Sequence, residues 1–299
     1  MSAMVSRMTQ RRIDLIGVAS GLGALDHGCQ DGPEVLRSLG FLCDLDMPAG
    51  HCSWLDIVHA SPEPACHPLW QVAAIAQALA DRVAASLRRG HFPLVIGGDH
   101  SSAIGTWSGT HLALHEQGRL GLLWFDAHMD SHTFQTTPSQ AIHGMPLACL
   151  LGQGDAYLTG IGGQGAKLHP EDVCLIGVRS YESGEATLLG KLGVRIFFMD
   201  EIRRRGLAEA FRMAWEHVTR FTQHVGISLD LDVLDPLEEA GVGSPVQGGL
   251  HREELISVLG SLREEPRLRV LEVMEYNPYR DQRFATAKAI HDLCAVVTG

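Results

Sequence analysis

The sequence predicts an α/β protein in which a mostly parallel sheet is covered by helices on both faces. Two features of the 299-residue chain carry this expectation. Short runs dominated by Val, Ile and Leu recur along it, apolar at nearly every position, as strands buried on both faces require. Stretches with helical periodicity lie between several of these runs, and such alternation is how parallel crossover units are built.

Taken in order, the first run is 13–18, followed by a helical pattern over 69–87 and a second run at 93–96 that breaks off at Gly97 and Gly98. The run 120–125 stops at Asp126, and 173–178 leads on to Arg179. Residues 194–199 form the next strand, after which 201–217 is expected as one helix. The run 225–229 stops at Asp230, 252–262 is helical, 270–274 stops at Glu275, and a helical pattern occupies 284–297. In a parallel sheet the ligand sits beyond the carboxyl ends of the strands, where the following loops converge. Four of these strands end in residues that bind cations or polar ligands: Asp99 and His100, Asp126 to Asp130, Asp230 to Asp235, and Glu275.

Composition narrows the function. Hydrophobic residues make up 45% of the chain and charged residues 20%, ample for a core and unlike a disordered segment. One domain spanning 1–299 is expected, since α/β folds fill that length and no linker-like stretch interrupts it. The net charge of −11 argues against a nucleic-acid partner, because phosphate binding needs clustered Lys and Arg. The one basic cluster, Arg203 to Arg205, fits a solvated helix face. No run of about 18 apolar residues suggests a membrane span, and the amino-terminal residues lack a signal-peptide core. Seven cysteines without a C-x-x-C pair make a poor disulfide framework. A cytoplasmic location follows as the expectation. The glycine-rich stretch from Gly160 to Gly165 fits a flexible loop, since it neither follows a clear strand nor opens a helix. His51, His59 and His67 are expected as solvated loop histidines.

The chemistry concentrates elsewhere. Asp126, His128 and Asp130 alternate so that extended backbone projects all three side chains to one side, and Asp230 and Asp232 repeat the spacing. Carboxylates converging at strand ends repel by several kcal/mol, on the order of what poorly screened charges cost, unless a cation lies between them. Carboxylate and imidazole donors without thiolate suit manganese, iron, cobalt, nickel or zinc in a catalytic rather than structural role. His100, His128, Asp126, Asp130, Asp230 and Asp232 are too many for one ion with an open position, so two ions with shared carboxylates fit the count. Such a pair lowers the pKa of bound water toward neutrality.

These segments resemble the arginase, or ureohydrolase, family: Gly-Gly-Asp-His-Ser at 97–101, Asp-Ala-His-Met-Asp at 126–130, and Ser-Leu-Asp-Leu-Asp-Val-Leu-Asp-Pro at 228–236. Gly32-Pro33, Leu36-Arg37 and Glu275-Tyr276-Asn277-Pro278 extend the resemblance over nearly the whole chain. It implies a three-layer αβα sandwich around an eight-stranded parallel sheet, two manganese ions, and assembly as trimers or hexamers. It further implies that His100 and Asp130 bind the first ion, His128 and Asp232 the second, and that Asp126 and Asp230 bridge them. The segment 141–146 is similar to the loop that carries a proton-shuttling histidine, which gives His143 that role. Glu275 matches the carboxylate that holds the substrate guanidinium. A bridging hydroxide would then attack the guanidinium carbon, with Asp130 passing a proton to the leaving amine.

The resemblance weakens where the substrate's far end would bind. Two positions that hold asparagine in arginases hold His132 and Ala141 here, while Ser139 is kept. Glu182 and Glu185 match acidic positions that contact an α-amino group. L-Arginine leads as the substrate, with agmatine, guanidinobutyrate, guanidine or a formimino compound as the alternatives. The metal is open between manganese and nickel, cobalt, iron or zinc.

Overall fold

The computed structural model describes residues 12–42, 53–60 and 67–298. Its strands are β1 (Ile13–Ala19), β2 (Ser53–His59), β3 (Phe92–Ile96), β4 (Leu120–Phe125), β5 (Val173–Val178), β6 (Arg195–Phe198), β7 (His224–Asp230) and β8 (Leu268–Met274). The α-helices are α1 (Gly32–Leu39), α2 (Pro68–Arg88), α3 (Ala103–Leu114), α4 (Pro146–Leu150), α5 (Ala156–Thr159), α6 (Ser183–Leu192), α7 (Met199–Arg205), α8 (Leu207–Val218), α9 (Arg252–Gly260) and α10 (Ala285–Thr298). The strands form one sheet in the order β2-β1-β3-β8-β7-β4-β5-β6. Every pairing is parallel, so each connection must cross a face, and the helices supply those crossings.

Strand alternation divides the core against the sheet into two, and a third cluster packs among α2, α3, α4 and α5. Leu123, Phe125, Ile227, Leu229, Leu271 and Val273 face the layer containing α1, α8, α9 and α10. Leu122, Trp124, Val270 and Met274 face α2, α3, α4 and α6. The continuous apolar runs of the sequence thus correspond to central strands covered twice, giving the three-layer sandwich.

Three expectations need correction. The stretch expected as a loop with solvated histidines contains β2, an edge strand whose Leu55 is 46% exposed while Ile57 and Val58 are buried. His59 ends that strand and pairs with Glu34 at 3.3 Å, and His67 caps α2 by accepting from the Leu69 N–H. His51, Cys43, Cys52 and Cys66 lie outside the described residues. The single helix expected over 201–217 is two, because Gly206 adopts φ +83 between α7 and α8. The strand expected at 194–199 is shorter, Arg195–Phe198, since Met199 begins α7. The arginines at 203–205 sit on α7, where Arg203 pairs with Asp200 and Arg205 with Glu201.

Candidate metal centre and cleft

The carboxyl ends of β3, β8, β7 and β4, four adjacent strands at the middle of the sheet, carry the charged residues. After β3 the chain must turn within van der Waals contact of two neighbours, and glycine alone permits it. A Cβ on Gly97 would fall 1.8 Å from the Met274 sulfur, and one on Gly98 would fall 1.8 Å from the Ser20 carbonyl oxygen. Asp99 then accepts from the Gly23 and Ser101 N–H groups, which fixes the turn and aims His100 across the sheet end.

His100 Nδ1 lies 3.3 Å from Asp126, 3.0 Å from Asp130 and 3.0 Å from Asp230. It is fully buried, and no hydrogen bond satisfies it. His128 Nδ1 lies 2.9 Å from Asp232 and 3.5 Å from Asp126. The donor atoms therefore form two groups, His100 with Asp126, Asp130 and Asp230, and His128 with Asp126 and Asp232; Asp126 belongs to both, and Asp230 to the first. Backbone N–H groups orient these carboxylates: Asp126 accepts from His128, Asp230 from Asp232, and Asp232 from Ala127. The Trp124 indole donates to Asp126 and stacks on His100 at 4.5 Å.

The electrostatics describe a site short of positive charge. Burial opposes a charged His100, yet Asp126, Asp130 and Asp230 raise its pKa well above the usual histidine range. Burial, then the charge of Asp126, pushes Asp130 up to about 7 against the pull of His100. Burial and the charges of Asp232 and Asp126 raise Asp230 as well. Protons are drawn to groups that would otherwise be paired with a cation. A bare, convergent imidazole nitrogen among hard oxygen donors fits a pair of divalent ions.

Beyond these groups a cavity of about 180 Å³ is lined by His128, Asp130, Asp230, Asp232, His132, Ser139, His143, Ser244, Glu182 and Glu185, among others. A second, of about 320 Å³, adds Asp26, Ala141, Gly243 and Glu275 and shares Ser139, His143 and Ser244 with the first. The structure thus brings the sequence-predicted residues to one cleft, with His100 and Asp126 buried at its floor. Glu275 accepts from the His100 N–H at 2.9 Å and from the Cys29 thiol at 3.3 Å, and faces His143 Nδ1 at 3.0 Å. Burial works against charge on His143, but Glu275 outweighs it and raises the imidazole to about 9. At the far end His132 Nε2 lies 2.9 Å from Glu182 and 3.4 Å from Glu185. Burial, chiefly, raises Glu185 to about 8.

A family model described as the arginase family matches residues 11–299. The chain belongs to the arginase family. It is 40% identical to the arginase of Bacillus caldovelox over 92% of this chain and 94% of that one, and 37% identical to the arginase of Brevibacillus brevis over 97% and 98%. The solved structure of the Bacillus caldovelox arginase superposes with a TM-score of 0.91 at 37% identity, covering 97% of this chain and 99% of that chain. A formimidoylglutamase from Bacillus subtilis, 22% identical with a TM-score of 0.77, shares the fold.

Sequence reasoning about this arginase-family chain missed several groups that hold the site. Arg179, read only as part of a Gly-Val-Arg pattern, donates to the carbonyls of Gly177, Asp232, Val233, Leu234, Val246 and Gln247, pinning the loop after β7. Its place after a strand ending in Gly-Val was the available clue. Ser244 and Asp26 line the cleft from loops, and Cys29 supports Glu275 from behind; no local pattern marks them. Among the described residues no helix is long and apolar enough to cross a membrane.

Proposed function

We propose that the chain hydrolyses L-arginine to L-ornithine and urea, using a pair of divalent ions held by His100, Asp126, Asp130, His128, Asp230 and Asp232. The observation that carries this reading is the pair of donor groups joined through Asp126, set beside a buried carboxylate, Glu275, that faces the same cleft. When bound, the ions supply Lewis acidity that brings the pKa of water toward neutral and offsets negative charge as it develops. Manganese is the proposed metal, on the family resemblance and on hard oxygen and imidazole donors.

The residues divide the remaining work. Glu275 accepts N–H bonds from the planar guanidinium and orients its carbon toward the donor groups. Asp130, at the edge of the His100 group, takes a proton of the attacking water and delivers it to the departing amine nitrogen as the C–N bond breaks. His143, at the junction of the two cavities, relays the second water proton to the amine, so that it leaves as the ammonium and the site regains its starting protonation state. Glu182 and Glu185 take the α-ammonium, and Ser139 with His132 takes the α-carboxylate.

One observation favours a second reading. The His132 imidazole already lies against both glutamates, where an ammonium would bind, and Ala141 presents a methyl group to the cleft. Agmatine lacks the carboxylate, 4-guanidinobutyrate lacks the ammonium, and guanidine needs neither contact. Urea release from arginine, agmatine, 4-guanidinobutyrate and guanidine, with protein loaded separately with manganese, nickel and cobalt, separates the two. Arginine responding alone supports the first reading; another member responding more strongly supports the second; no urea from any of them refutes both.

A cytoplasmic location is proposed on the buried thiols Cys29, Cys149 and Cys174, which form no disulfide and suit a reducing compartment. One catalytic domain spanning 1–299, assembled as a homo-oligomer, completes the reading; the single sheet supports the former and the family resemblance the latter.

A further inference from the structure

Beneath the donor groups lies a buried chain of hydrogen bonds that the reaction outlined above does not use. Ser228 on β7 and Glu272 on β8 are register partners, and both are fully buried. The Ser228 hydroxyl donates to Glu272 Oε1 at 2.5 Å. The Trp107 indole, reaching down from α3, donates to the same oxygen. Room for that ring exists because β7 carries Gly226 there; a Cβ would fall 2.1 Å from the indole.

The direction of these bonds matters. With its hydrogen committed to Glu272, the Ser228 oxygen can offer only lone pairs to His100 Nε2, 2.9 Å away. In the neutral ring, the form that binds a metal ion, Nε2 therefore carries the proton, which leaves Nδ1 bare. Nδ1 is the buried nitrogen that faces Asp126, Asp130 and Asp230 without a hydrogen bond. The Trp124 ring, 4.5 Å from His100 and 20° from parallel, holds the plane of the imidazole. A histidine whose tautomer and plane are both fixed from behind is prepared to give a lone pair to a metal ion.

We propose that Glu272 and Ser228 are positioning residues that fix the His100 tautomer and thereby set the affinity of the ion in the His100 group. The proposal rests on the two-ion reading above. A competing role for Glu272 is to satisfy the Trp107 indole alone, and the variants distinguish the two roles.

The test is equilibrium dialysis of the purified protein against graded Mn²⁺, with bound metal measured by elemental analysis and folding checked by circular dichroism. Wild-type protein is expected to take up two ions per chain. Ser228→Ala and Glu272→Leu are expected to weaken one of the two by about 10- to 100-fold, the range seen when a ligand's supporting partner is lost. Glu272→Gln keeps an acceptor for both donors, and Trp107→Phe removes the indole N–H with part of the buried ring but leaves the Ser228 bond; both are expected to keep wild-type affinity. Ser228→Ala at wild-type affinity overturns the proposal, as does Trp107→Phe losing as much as Ser228→Ala. Should Glu272→Leu fail to fold, the smaller Ser228→Ala decides. Fewer than two ions on the wild-type chain overturns the two-ion reading itself, a result distinct from failure of the variants alone.

Discussion

Asp130 and Glu275 adopt φ values of +46 and +66, in the left-handed region that side chains other than glycine rarely occupy. Each such residue costs on the order of 1–3 kcal/mol, which the surrounding structure must offset. Glu275 directly follows β8 and Asp130 lies in the loop after β4, and both turn a carboxylate into the cleft. Their neighbour His143 takes its shuttle role from the family resemblance alone; the structure gives it Glu275 as a partner and access to both cavities. His143→Ala is expected to lower kcat by about 100-fold, within the range of general acid–base catalysis, and to leave bound metal unchanged. Steady-state urea release across pH, paired with elemental analysis, checks both halves; an unchanged pH–rate profile would remove the shuttle role.

At the scale of elements, the site depends on how loops are tied down after the strands. The loop after β7 carries Asp232 and is bound through its carbonyls to the Arg179 guanidinium, with the shortest bond, 2.6 Å, to the Asp232 carbonyl. Five N–H donors in a planar fork serve several carbonyls at once, and an ammonium on a flexible stem cannot copy that arrangement. Arg179→Lys is expected to destabilise the protein by about 2–4 kcal/mol, the sum of a few charge-assisted bonds. Urea denaturation measures it, and a midpoint equal to wild type would show that the loop holds without the fork. The elements hardest to foresee were those lacking a one-sided pattern. Residues 103–110 of α3 are all buried, so no amphipathic stripe distinguishes the helix from a strand. β2 fails for the opposite reason, since an edge position lets Leu55, Asp56 and His59 remain exposed.

For the molecule as a whole, the centre of the sheet carries Asp126, Asp130, Asp230 and Asp232, each buried and close to another. Their repulsion is a cost to folding that bound cations relieve, so metal and stability are linked by mass action. Removing metal with EDTA is expected to lower Tm by roughly 5–10 °C, from a few kcal/mol of linkage spread over a domain of this size. Differential scanning calorimetry with and without restored Mn²⁺ is the check. A Tm insensitive to both would mean that the carboxylates are stabilised by protons and histidines alone.

By itself the sequence determined the fold class and the donor residues. Both are local: apolar runs mark doubly covered strands, and alternate carboxylates and imidazoles share a face wherever the backbone is extended. It could not determine that the strands before His100, Asp126, Asp230 and Glu275 would be the four central neighbours, because strand order follows from packing between distant segments. Nor could it assign Asp126 to both donor groups, place Ser244 on the cleft and Cys29 against Glu275, or pair His132 with Glu182 and Glu185. Each of those facts is a distance of a few ångströms between residues far apart in the chain, and only the closed sheet with its tethered loops sets such distances.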